Sequence, residues 1–451
     1  MNRLAFVPAA MAVLSLSLLS ASAKAIDYPH WRGPNATGLA DGAPPLRWDS
    51  ETNIRWKTEL PGHSNGSPCV LGDQVFVVSA VETARRDETA AEPEDAPEPA
   101  PETEGRRRRG RGRASKPKNY YEFWVYCLDR KSGDVVWEQL ATEQVPQESK
   151  HQTNTYASAT PITDGERLYV SFGSFGIYCY SLKGEPLWDL DLGDMTTRNS
   201  FGEGASPSVA RGRLLVPWDH EGQSFLVSLD AATGKEQWRT DRDEGTTWTT
   251  PLVTEAFGKT QVVMNGTNRV RSYDFDSGEL IWECGGQVQC PVPCVLRYGD
   301  CVIAMSGHRG TASRMIRLDS LGDVTDDDTQ VVWRHDKGTP YVPSPLLYDD
   351  RVYFYKSNRG ILSVLNADTG EPVIDQKRLP KIENVYASPV GAAGRVYLTE
   401  RNGTTLVIEH GSDEFKVLAT NELGEPVDAT PQIVGDEIFI RAEGHVYCIA
   451  E

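Results

Sequence analysis

Val125-Tyr126-Cys127-Leu128-Asp129-Arg130-Lys131-Ser132-Gly133-Asp134-Val135-Val136-Trp137 is the stretch whose reading decides the fold. Val-Tyr-Cys-Leu is a strand, Asp129 and Gly133 make the hairpin turn, and Trp137 ends the returning strand. The same hairpin recurs, with Trp137, Trp188, Trp238, Trp282 and Trp333 marking five strand ends. Each unit opens with Ser or Thr followed by Pro, at Ser67-Pro68, Thr160-Pro161, Ser206-Pro207, Thr250-Pro251, Ser344-Pro345, Ser388-Pro389 and Thr430-Pro431, with Val292-Pro293 as the divergent eighth. Short strands at even spacing with one aromatic per unit mark a repeat whose units cannot bury their faces alone. The reading is an all-β protein, an eight-bladed β-propeller of four-stranded antiparallel blades.

A ring needs closure, because an open sheet edge is a liability. The last unit has strands near 432–434, 437–441 and 445–449 and then ends without its Trp-bearing strand, whereas residues 53–57 carry an orphan Trp56. This N-terminal strand is expected to complete the eighth blade. Units six and seven carry Val373 and Leu418 where the others have Trp, which predicts looser packing there. Cys127, Cys179 and Cys448 share one slot in different blades, too far apart to bond, and read as small core residues.

Arg3, the apolar run 4–19 and Ala23-Lys24-Ala25 form a signal peptide over residues 1–25 with cleavage near Ala25, so the mature chain is expected in the periplasm or secreted. No later run is long enough to cross a bilayer, and the residue after the cut is Ile26 rather than a lipid-accepting Cys. Without Arg3 and Lys24, 44 basic residues face 64 acidic ones, a charge of about −20 that repels nucleic acid and anionic membranes. Residues 26–451 read as one propeller and, in solution, as a monomer. Residues 82–118 interrupt its first blade with a Pro- and Glu-rich stretch followed by Arg106-Arg107-Arg108-Arg109-Gly110-Arg111-Gly112-Arg113. So little apolar content predicts disorder, as a solvated loop or as a docking tag for an anionic polymer or acidic protein.

The units resemble the repeats of the pyrroloquinoline-quinone-type, or quinoprotein-like, propeller superfamily, which includes the outer-membrane assembly lipoprotein BamB. His30-Trp31-Arg32-Gly33-Pro34-Asn35, the stretch Tyr156-Ala157-Ser158-Ala159-Thr160-Pro161-Ile162-Thr163-Asp164-Gly165-Glu166-Arg167 and Thr339-Pro340-Tyr341-Val342-Pro343-Ser344-Pro345-Leu346 resemble the exported PQQ-binding-like repeat proteins of planctomycete-type bacteria. The resemblance implies the propeller fold. In the quinone-dependent dehydrogenases of the superfamily it also implies a cofactor over the channel with calcium, a catalytic Asp and usually a pair of adjacent cysteines. This sequence has no adjacent cysteines and no lipid-bearing Cys as in BamB.

In a four-stranded blade, the connection into the first strand and the turn between the second and third strands share one face. That face should carry His63, His151, Asn154, Tyr156, Arg198, Asn199, Trp218, His220, Trp248, Asn268, Arg269, His308, Arg309, Tyr341, Asn358, Arg359, Tyr386, Arg401 and Asn402. Arg forks bind carboxylates and aromatic rings offer flat faces, so such a ring suits a planar or hydroxyl-rich anionic ligand. The same residue types also serve plain turn hydrogen bonding. Cys284, Cys290, Cys294 and Cys301 lack a CxxC pair, so zinc is disfavoured against a disulfide, Cys284 with Cys290 or Cys290 with Cys294, or free thiols. Asp323, Asp326, Asp327 and Asp328 read as a solvated acidic loop, calcium being the alternative.

No Ser-His-Asp order, HExxH or Gly-rich phosphate loop is present, so no catalytic set is assigned and neither a cofactor nor a metal is predicted. The expectation is a binding or docking scaffold in the cell envelope with an envelope protein or anionic glycan as partner. The alternative is a PQQ- and calcium-dependent dehydrogenase of alcohols or sugars.

Overall fold

The computed structural model describes residues 30–33, 36–88 and 116–451. The signal peptide and the centre of the charged insertion lie outside the described residues. Eight sheets surround one axis. Their inner strands are Cys69–Leu71, Ile162–Thr163, Ser208–Ala210, Leu252–Ala256, Leu296–Tyr298, Leu346–Tyr348, Val390–Ala392 and Gln432–Val434, which number blades 1 to 8. Each blade is an antiparallel meander from the axis outward, and blade 4 carries a fifth, parallel strand, Gly322–Asp323, on its outer edge. The outer strand of blade 8 is Ile54–Glu59, whose Trp56 lies opposite Cys448.

The Ser/Thr-Pro openings have a physical cause that the repeat alone did not state. They form a belt of hydrogen bonds around the axis, in which the backbone N–H of one blade donates to the hydroxyl of the next. Ser67 N donates to Thr160 Oγ1 (3.0 Å), Thr160 N to Ser206 Oγ (2.9 Å), Ser344 N to Ser388 Oγ (2.9 Å) and Ser388 N to Thr430 Oγ1 (3.0 Å). Blade 5 fills this slot with Cys294, not with the Val292-Pro293 pair the period suggested. Thr250 N donates to Cys294 Sγ at 3.1 Å, and Cys294 N donates to Ser344 Oγ at 2.9 Å.

The Trp periodicity is the outer counterpart of this belt. Each indole reaches the next blade and donates Nε1 to a turn carbonyl: Trp56 to Arg130 (2.8 Å), Trp137 to Leu182 (3.1 Å), Trp188 to Ala231 (3.1 Å), Trp238 to Phe275 (3.0 Å) and Trp333 to Ala367 (2.8 Å). Each ring also lies on the glycine of that turn, Gly133, Gly184, Gly234, Gly278 or Gly370, where an added Cβ would sit 2.6 to 2.8 Å from the indole. Trp282 faces a blade without that glycine. It donates instead to Gln261 Oε1 (3.1 Å), whose Nε2 passes the contact on to Leu318 O (2.7 Å).

Three expectations are corrected. The Trp slot of blades 6 and 7 holds Ile374, opposite Val364, and Ala419, opposite Val407, rather than Val373 and Leu418. Packing there is not loose, because Trp48 stacks on Tyr397 at 6.2 Å in the core that holds Ala419, and His410 stacks on Tyr348 at 3.6 Å. The insertion is shorter than 82–118, since the second strand of blade 1, Gln74–Arg86, continues through it and Asp87 N still donates to Lys118 O at 2.8 Å. The disulfides are absent: Cys284, Cys290 and Cys294 are all free and buried. Cys294 belongs to the axial belt, Cys284 packs in the core with Trp282, and Cys290 sits in a connection with φ 55° beside Arg198. Burial pushes all three thiols up, Cys284 to about 11, so they stay protonated and unreactive.

Candidate functional site

The connections that lead into the inner strands meet at one end of the axis, which we call the mouth face. A cavity of about 280 Å³ opens there, and all eight connections line it, through Asn65, His151, Phe201, Trp248, Val292, Tyr341, Tyr386 and Asp428 in blade order. Below these lies the hydroxyl belt, with Thr160, Ser206, Thr250, Ser388 and Thr430. Apolar walls with a few convergent polar groups are the usual make-up of a ligand pocket.

The floor comes from the N-terminal segment, a contribution the repeat reading missed. Residues 36–48 cross the opposite face as a strap that residues 30–33 precede, tied by Ala40 N to Gly391 O (2.9 Å) and Ala43 N to Asp436 Oδ1 (2.7 Å). Arg32 anchors it in the axis, where its guanidinium donates to Pro389 O (2.7 Å), Pro345 O (2.6 Å) and Thr37 O (3.1 Å). Gly38 approaches so closely that a Cβ would overlap this guanidinium. Trp31 borders both the mouth cavity and a second cavity of about 500 Å³ against the inner strands of blades 3 to 5. Its indole therefore partitions the axis and makes the mouth a cup.

The walls are held by local chemistry. His151 Nδ1 meets Thr153 Oγ1 at 2.8 Å, and that hydroxyl also donates to the Tyr386 phenol at 3.1 Å. Asn154 Nδ2 donates to Phe201 O (2.8 Å) and Glu203 O (3.1 Å), while Trp248 Nε1 donates to Gly202 O (2.8 Å). The Trp248 connection is fixed from below, because Thr247 Oγ1 donates to Asp219 Oδ2 at 2.7 Å and Asp219 is itself paired with the buried Arg242. Arg401 lies over the Tyr386 ring at 4.3 Å and grips Asp428 with two bonds of 2.5 and 2.8 Å.

Of the residues predicted from sequence, His151, Asn154, Trp248, Tyr341 and Tyr386 line the cup. Arg198, His308 and Arg309 group beside it: His308 stacks on Tyr341 at 4.6 Å, and burial followed by the two guanidiniums holds its imidazole below the usual range. Burial also pushes the Tyr341 phenol up to about 12, with Cys290 and Tyr386 adding to it. Asn199 is exposed at φ 55°. The others serve structure. Tyr156 packs edge-on against Tyr121 at 4.9 Å, and His220 is buried, its Nδ1 accepting from Thr196 N at 3.0 Å. His63 bridges the backbone of Ala80 and Arg359 that of Asn384, while Arg269 pairs with Glu283 and Asp323. The acidic run is consumed locally: Asp323 accepts from Thr325, Asp327 from Thr329, and Asp328 pairs with Arg334.

Eight blades, indoles docked on the glycines of the next blade and a cup at one end of the axis define an eight-bladed β-propeller. The resemblance drawn from the repeats is borne out: the family model described as outer membrane protein assembly factor BamB matches residues 122–287. Among solved structures, BamB from Moraxella catarrhalis superposes with a TM-score of 0.55 at 11% identity, covering 87% of this chain and 98% of that one. A europium-containing methanol dehydrogenase superposes with a TM-score of 0.62 at 10% identity, covering 94% of this chain and 98% of that one. At such identities the likeness shows the fold alone. A curated polyvinylalcohol dehydrogenase from Sphingopyxis sp. (strain 113P3) is 22% identical over 275 residues, which is 51% of this chain and 34% of that protein. The match thus spans about a third of that relative's length.

The cup does not fit a quinone held with calcium. Calcium takes six to eight oxygen ligands, carboxylates prominent among them. Asp428 is the carboxylate among the residues that line this cavity, and both of its oxygens are engaged by Arg401.

Proposed function

We propose that the mature chain is an extracytoplasmic binding scaffold, monomeric and without catalytic activity, that captures an envelope protein or an anionic glycan through its mouth face. The observation that carries this reading is the convergence of all eight connections on one aromatic cup. Propeller topology alone brings the eight connections to the axis, so what goes beyond the ring's needs is the set of aromatic side chains they turn into the cup, Phe201, Trp248, Tyr341 and Tyr386. Similarity to BamB, named as an assembly factor, supports a docking role, and the leader sequence supports export. The test is recovery of partners from cell-envelope extract on immobilised protein. Wild type should retain a partner that a correctly folded Trp248→Ala/Tyr341→Ala variant loses; equal recovery by both contradicts the reading.

A further inference from the structure

We infer that the cup selects an acidic saccharide, with a sugar ring against its aromatic walls and the sugar's carboxylate clamped by Arg198 and Arg309. This inference rests on the binding reading above and names the ligand class for the same site.

Size comes first. A cavity of about 280 Å³ holds one or two sugar rings, not a folded partner. Its floor is closed by Trp31, so it admits a chain end or a branch rather than a segment running through the axis. Five of its lining side chains, Trp31, Phe201, Trp248, Tyr341 and Tyr386, are aromatic. Such rings present flat apolar faces that match the C–H faces of a pyranose. Asn65 supplies an amide for sugar hydroxyls, with one of its N–H groups held by Thr153 O at 3.0 Å.

Charge decides the class. The chain is strongly acidic, with a formal charge of −18, yet the guanidiniums of Arg198 and Arg309, just outside the residues that line the cup, both bear on Cys290 and His308 at its blade 3 and blade 5 side. Neither Arg198 nor Arg309 has a carboxylate partner among the described residues, whereas Arg242, Arg271, Arg314 and Arg401 are all ion-paired. Both guanidiniums act on His308, which stacks on the cavity wall at Tyr341. Asp428 lies across the cup on blade 8 and is neutralised by Arg401. Positive charge therefore lies beside the cup on the blade 3 and blade 5 side, where the nearby carboxylate of Glu221 is occupied by Thr246 N (3.1 Å) and Thr246 Oγ1 (2.9 Å). A planar carboxylate accepts such forks in pairs of parallel hydrogen bonds. A neutral sugar would leave the exposed Arg309 and half-buried Arg198 guanidiniums to water.

The experiment titrates the mature protein, by its tryptophan fluorescence, with tetragalacturonate, with the same tetramer methyl-esterified, and with an N-acetylated tetraglutamate peptide. The acid tetramer should bind about 10-fold tighter than its ester or more, as loss of a charge-assisted pair implies, and should weaken as salt is raised. Arg198→Gln/Arg309→Gln should lower the acid tetramer to the affinity of the ester and leave the ester unchanged. Equal binding of acid and ester overturns the clamp while the cup stands. Tighter binding of the peptide overturns the saccharide assignment. No binding by any of the three overturns both the clamp and the binding reading on which it rests.

Discussion

Glu203 sits half-buried beneath the cup wall, where Ser174 Oγ (2.5 Å), Ser174 N (2.8 Å) and Gln147 Nε2 (3.1 Å) all donate to it. Burial outweighs these bonds and pushes its carboxyl from the usual 4.5 up to about 7. Between those two values the folded chain holds a proton that the unfolded chain has released. Stability from this group is therefore greatest below pH 4.5 and falls as pH rises to about 7, by an amount on the order of 3 kcal/mol. Glu203→Gln should flatten that part of the pH profile, as measured by urea unfolding at pH 5 and at pH 8; an unchanged slope contradicts the assignment. Arg32 makes a second claim at this scale. Arg32→Met keeps the stem but strands buried carbonyls, and should cost about 2–4 kcal/mol, read from the same urea midpoints. The role of Arg32 was not legible in the sequence, because its partners Pro389 and Pro345 lie 357 and 313 residues away. Trp248 and Tyr341 were legible, because their place in the repeat fixed which face they take.

Blades show what periodicity can and cannot carry. Trp, Gly and Ser/Thr-Pro recur because indole docks on glycine and hydroxyl caps N–H at each junction, so these signals survive wherever both partners do. The β-bulge beside Val364 and Val407 recurs beside the Trp of the other blades, so Ile374 stands four residues after Gly370 as Trp137 does after Gly133, and the slip to Val373 and Leu418 comes from the loss of the indole that marks the slot. Cys294 was misread because its blade places the proline before the belt position rather than after it. Two glycines separate the cost of docking from that of backbone strain. Gly234→Ala meets the Trp188 ring and also carries a positive φ of 70°, whereas Gly165→Ala at φ 92° meets nothing within 4 Å. The former should lower the melting temperature more, by an extra cost of about 1–3 kcal/mol; equal shifts would contradict the docking account. Among the described residues no cysteine is in a disulfide, so reductant should leave the melting temperature unchanged, and thiol titration of the unfolded, unreduced protein should find all eight cysteines.

At the scale of the whole molecule, the ring, strap and cup form one device. The strand Ile54–Glu59 joins the last blade and docks Trp56 on blade 1, so the segment just before it is led across the opposite face. That path delivers Trp31 to the axis and turns a channel into a cup. Trp31→Ala should merge the two axial cavities and weaken tetragalacturonate binding without unfolding the ring, since Arg32 and the strap contacts remain. Propeller architecture was readable in full from the repeats. The cup was readable only as a face, since eight loops from distant parts of the chain define it and no local pattern records their convergence. The measurement that tests the account most directly is a crystal structure of the mature protein grown with tetragalacturonate. The account predicts a sugar ring in the mouth between Trp248 and Tyr386, with its carboxylate on Arg198 and Arg309. An empty mouth in a protein that binds the tetramer elsewhere would contradict it.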